Sequence, residues 1–234
     1  MALNIGLTMP SNENVTLNTS GVQEYAPIQH YHASLGDSTN TVLSVDTSTL
    51  SVVEGGGTIA SGYCAHAEGV LTKATGNQSH SEGASTKATG GQSHSEGAST
   101  TASGAQSHAE GVTTTASGNQ AHSEGNFTQA TGDQSHVEGN NNTASGLCSH
   151  AEGYNTLASS PYQHVQGKLN EEDRDGVYAH IVGGGGRGMY WRRNIHTIDW
   201  DGNAMFAGGI TFYDSNGNEH TLDEILERLT ALES

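Results

Sequence analysis

Through the middle of the chain the apolar positions are small, and they alternate with polar ones. In S-H-S-E-G, residues 79 to 83, Ser79 and Ser81 share one face of an extended segment and His80 and Glu82 share the other. The first face stays small wherever the segment recurs: Ala65/Ala67, Ser93/Ser95, Ser107/Ala109, Ser149/Ala151. This pattern predicts short strands with Ser and Ala inside and His and Glu outside. The reverse would bury a row of imidazoles and carboxylates in a thin core, at high cost.

The segment recurs at a fixed interval. His66, His80, His94, His108, His122, His136, His150 and His164 are each 14 residues apart. Two positions after each His stands Glu68, Glu82, Glu96, Glu110, Glu124, Glu138 or Glu152, and Gln166 in the last copy. A Gly follows every time, and an Ala precedes each His by six residues. Such a unit is too short for a helix pair or a propeller blade. It suits one coil of a narrow parallel β-roll, with two short strands and two tight turns where glycines supply φ > 0. A disordered Gly/Ser/Thr tract would share the composition, with its 32% hydrophobic content. It would have no reason to hold His, Glu, Ala and Gly in register.

The flanks differ. Residues 1–54 contain NVTLNT and NTVLSVDTSTLSVV, which alternate like strands, and form the expected N-terminal β segment. Residues 55–167 are the roll, and 168–216 a C-terminal β domain in which W-D-G-N, Trp200 to Asn203, predicts a hairpin bend. Residues 217–234 hold an apolar helical stripe, Leu222, Ile225, Leu226, Leu229 and Leu232, opened by a Thr221/Glu224 capping box. A helix this short is unstable alone, so a three-helix coiled coil is expected, the alternative being a helix lying on its own domain.

Stacked coils place the His residues in one ladder and the Glu residues in a second, at about 4.8 Å per step. So thin a coil buries little, and self-association is the expected remedy. Three rolls around an axis would set imidazole donors against carboxylate acceptors of the next chain. The other possibility is that the ladders face water.

The run A-[ST]-G-x-x-S-H-A-E-G resembles the head repeats of trimeric adhesins of the YadA type. That resemblance implies a left-handed parallel β-roll of 14-residue coils in a homotrimer. Those heads carry S-V-A-I-G, and His and Glu here take the Val and Ile positions, so the expected trimer core is polar. The S-H-A-E-G version is similar to repeats in tail-fibre and appendage proteins of phages and prophages of Gram-positive bacteria. A second run, YAHIVGGGGRGMYWRRNIHTIDWDGNAMFAGGI, resembles a segment found near the ends of phage structural proteins. No Ser-Lys dyad accompanies it, and no self-cleavage is expected.

These likenesses imply a virion structural protein: a tail fibre, baseplate appendage or receptor-binding protein that mediates host attachment. Its partners would be its own copies, other tail proteins, and a host-surface glycan or protein. The alternative is the head of a bacterial surface adhesin of the trimeric autotransporter class. Met1 to Gly6 carries no basic n-region, and no long apolar stretch follows, which favours assembly in an infected cell's cytoplasm.

Charge narrows the partners further. Eight basic against 25 acidic residues, a net −17, argues against nucleic acid and anionic membranes. Cys64 and Cys148 share one repeat slot six coils apart. That is roughly 29 Å, too far for a disulfide, and both are expected to be small buried or half-buried residues. His beside Glu invites acid–base catalysis, but near-identical copies with no nucleophile pattern give no single shaped pocket, so no enzyme is expected. His30 and His32 form an H-x-H pair that could hold a transition-metal ion on a trimer axis, or be two exposed histidines. Tyr190, Trp191, Arg192, Arg193 and Trp200 are the candidate recognition residues, or else a small trimer core.

Overall fold

The computed structural model describes residues 33–37, 40–185, 191–208, 211–213 and 217–233. The chain divides into two compact units, Met1–Tyr31 and His32–Ser234, and all described residues belong to the second. They form an all-β structure, a β-solenoid of about ten parallel turns, with one short C-terminal helix, Leu222–Glu233.

One coil shows how the sequence builds the rest. Ser107 and Ala109 are buried, while His108 and Glu110, which alternate with them, remain half-buried on the outside. The chain bends at Gly111 and Thr113, both at positive φ. Thr114, just before the second short strand, and Ala116 within it are buried, the strand being Thr115–Ala116. The backbone of each coil then bonds to the next: His108 N donates to Ala121 O at 2.9 Å and Thr115 N to Thr128 O at 2.9 Å. Repetition stacks the His strands into one sheet and the Thr-Ala strands into an eight-stranded sheet. The predicted faces are the observed ones.

Because mostly Ala, Ser and Thr line the inside, with Val137, Asn142 and Val165 among the larger exceptions, the core is half polar and its hydroxyls need partners. Ser81 and Thr86 do so at 2.7 Å, Ser95 and Thr100 at 2.7 Å, and Ser123 and Thr128 at 2.8 Å. Where the inward residue is Ala67, Ala109 or Ala151, the matching Thr72, Thr114 or Thr156 hydroxyl has no partner.

The glycines divide their work in a way the sequence reading did not separate. Gly111 and its equivalents have positive φ. Gly118 and its equivalents do not, and a Cβ there would overlap the carbonyl of the glycine one coil on, Gly132. Both columns answer to the closeness of stacked coils, since a Cβ on Gly111 would likewise overlap the carbonyl of Gly125, and the first answers to conformation as well. The left-handed corner two residues before each His is occupied by Gln106 (φ 58°), its equivalents and both cysteines, all non-glycine. There Gln92 Nε2 donates to Gln78 Oε1 at 3.1 Å, and the amide chain continues to Gln134. Cys148 joins it with a 3.1 Å contact to Gln134. The cysteines are unpaired; Cys148 is half-buried, but Cys64 is exposed, contrary to expectation, since this corner points outward.

The parallel register runs past the recognisable repeat at both ends. On one side Ala33–Asp37, Asn40–Asp46 and Ser51–Gly56 form an antiparallel meander. Its last strand pairs Val52 with His66, Glu54 with Glu68 and Gly55 with Gly69. On the other, Tyr178–Gly184 pairs in parallel with His164–Lys168, matching His164 to His180 and Gly167 to Gly183. The intervening loop is pinned by Asp173, which accepts from Val177 N, Tyr178 N and Gln163 Nε2. The predicted hairpin follows: Asn194–Asp199 pairs antiparallel with Ala204–Phe206 around Trp200 to Asn203, and Asp199 accepts from the Asn203 amide at 2.8 Å. The capping box is present as well, Glu224 N donating to Thr221 Oγ1 at 3.3 Å and Thr221 N to Glu224 Oε2 at 2.9 Å. No helix among the described residues is long and apolar enough to cross a membrane.

Candidate functional site: the imidazole and carboxylate columns

The in-register sheet brings the eight repeat histidines into one column. From His66 to His164 successive ring centroids lie 4.7 to 4.9 Å apart, with planes within 15° of parallel. The column continues, tilted, through His180 and His196 to Phe206. His180 and His196 were missed because they fall off the repeat interval. The trace of the first is H-x-x-G, which His180 and Gly183 share with His164 and Gly167.

The Nε2 atoms of all eight repeat histidines are shielded from solvent and have no hydrogen-bond partner. Carboxylates face most of them, at 3.7 Å for His80–Glu82 and His108–Glu110, 3.6 Å for His164–Glu152 and 4.0 Å for His150–Glu138. These separations exceed hydrogen-bond length. The one position that departs from Glu behaves differently: Gln166 Nε2 reaches His180 Nε2 at 3.3 Å.

Stacking also shapes the titration. Burial, then the neighbouring imidazoles, holds His80, His108, His122, His150 and His180 below the usual histidine range. In the carboxylate column neighbours shift one another. Hydrogen bonding with Glu124 and Glu96 pushes Glu110 up to about 7, and burial raises Glu82. Glu96 and Glu138 are held low, chiefly by hydrogen bonding with their neighbours in the column. Beside this column runs a groove of about 410 Å³ lined by Glu110, Glu124, Glu138, Glu152, Gln166 and the following glycines. Groups such as His66–Glu68–His80 bring three potential metal ligands within 4.8 Å of one another.

The remaining candidates lie elsewhere. His30, His32 and Tyr190 are outside the described residues. Trp191 is 77% exposed, and Trp200, half exposed, donates Nε1–H to Gly176 O at 3.0 Å. Arg192 reaches back to the roll, donating to Asn155 O at 2.9 Å and Asn170 O at 3.0 Å, so its guanidinium is spent on fastening the hairpin strand to the last coils. Arg193 donates to Ala207 O at 3.3 Å. On the helix, Leu226, Leu229 and Leu232 are exposed and Ile225 is half-buried.

In comparisons with known proteins, no family model and no curated sequence matches this chain.

Proposed function

We propose that this chain is a structural, adhesive component of a phage or phage-like tail, acting as a homotrimer that attaches the particle to a bacterial surface. Its 14-residue coils would form left-handed rolls packed with their His/Glu faces toward a common axis. The observation that carries this reading is the run of eight shielded Nε2 atoms without partners beside a carboxylate-lined groove. A second and third chain would supply the missing partners, carboxylates and waters between like columns. The exposed leucine stripe supports the same reading. Burying one leucine between three helices contributes about 1.5 to 3 kcal/mol, which three turns of helix lack alone.

In this account the roll is a spacer, repeated for length, with no enzymatic role. The N-terminal segment docks to the particle or a partner protein. Recognition falls to the C-terminal domain, where Trp191 is free to insert into a host glycan or protein, as aromatic anchors do. The test has two arms. Antibody against the protein should decorate phage-like particles, and the purified protein should compete with them for adsorption to host cells, with Trp191→Ala competing at least tenfold less well. Label confined to the cell envelope would favour the bacterial-adhesin alternative. Label on particles without competition would leave a structural part with no role in attachment.

A further inference from the structure

We infer that consecutive coils of the roll bind divalent transition-metal ions, each ion held by two stacked imidazoles and an adjacent carboxylate of the same chain. His66–Glu68–His80, His94–Glu96–His108 and His150–Glu152–His164 each place three ligand atoms within 4.8 Å and share no residue. The parallel rings aim their Nε2 atoms to the same side. Those atoms have no hydrogen-bond partner, and the closest carboxylate oxygens stand 3.6 to 4.0 Å away. Such spacing is too long for a hydrogen bond. It is also longer than the roughly 3.3 Å between ligands on a tetrahedral ion with Zn–N of about 2.0 to 2.1 Å. Binding an ion therefore requires the stacked rings, with centroids 4.7 to 4.9 Å apart, and the carboxylate to turn toward one another.

Two imidazoles and one carboxylate select borderline ions such as Zn²⁺ or Ni²⁺. Mg²⁺ and Ca²⁺ prefer all-oxygen sites. Each Nε2 has one lone pair to give, so neighbouring gaps cannot both fill, and filled sites stand at least two coils, about 9.6 Å, apart. The fourth position is left to water. The ligands come from one chain, yet they use the Nε2 atoms that the trimer reading leaves to neighbouring chains, so metal loading and solution mass are read separately; the sites differ from the His30/His32 pair.

The test uses the full chain carrying His30→Ala and His32→Ala, stripped with chelator and titrated with Zn²⁺ at neutral pH by calorimetry, followed by metal analysis after desalting. The expected result is three or more Zn²⁺ per chain, a raised melting temperature, and no response to Mg²⁺. Adding His94→Gln and His108→Gln should remove one ion while solution mass is followed separately. Should that variant fail to fold, Co²⁺ absorption of the parent should show the intense bands of four- or five-coordinate nitrogen and oxygen ligation. Fewer than one Zn²⁺ per chain, a stoichiometry unmoved by the ladder substitutions, or a Co²⁺ spectrum of the hydrated ion overturns the inference.

Discussion

At the scale of single residues the core is a set of hydroxyl pairs, and their pattern makes a sharp prediction. Ser95 satisfies Thr100, and Ser123 satisfies Thr128, but Ala109 between them leaves Thr114 Oγ1 alone. Ala109→Ser therefore completes a pair in a slot already shaped for serine, and should stabilise the roll by about 1 kcal/mol. Ser95→Ala should cost about 1 to 2 kcal/mol, and adding Thr100→Val should recover most of it, because no orphaned hydroxyl then remains. Urea unfolding of the four proteins checks this, and equal midpoints for Ser95→Ala and the double variant would contradict it. Which residues face inward was legible from the sequence, since period-two alternation with one strictly small face has one economical reading. The glycines were only half legible. A glycine kept only because a carbonyl passes against its Cα and one that must also hold a positive φ look alike in one dimension. The left-handed corners at Gln106 and Thr113 were not legible, because neither residue type announces that backbone region.

Elements behave as columns, and columns titrate together. Burial depresses several histidines below their ordinary value near 6.5, so the unfolded chain binds their protons more readily. Their contribution to stability is complete above pH 6.5 and is lost as pH falls below it. Glu110, pushed up to about 7, acts oppositely, losing stability as pH rises from 4.5 toward 7. Glu82 shares that sign, and the lowered Glu96 and Glu138 oppose it, losing stability as pH falls below 4.5. Removing the two raised carboxyls isolates the histidines: the melting temperature of Glu82→Gln/Glu110→Gln in chelator should fall between pH 7.5 and 5.5, and an unchanged or higher value at pH 5.5 would contradict this. The helix makes its own prediction. Leu226→Glu with Leu229→Glu should weaken association, each lost leucine removing about 1.5 to 3 kcal/mol per chain. Unchanged mass on dilution would show that the helix holds nothing together. The helix was legible through its stripe and Thr221/Glu224 box. The outer coils at Val52 and His180 were not, because Val replaces His in one and the loop pinned by Asp173 lengthens the other.

For the whole molecule, repetition explains both the weakness and the remedy. Coils filled with Ala, Ser and Thr bury little apolar area, while ordering entropy grows with every coil added. In the proposed trimer the balance comes from contacts between copies, along the His/Glu columns and the terminal helix. Solution mass by light scattering after size exclusion at neutral pH tests that claim most directly. The account predicts three times the 24.3 kDa chain. A stable single-chain mass would contradict it.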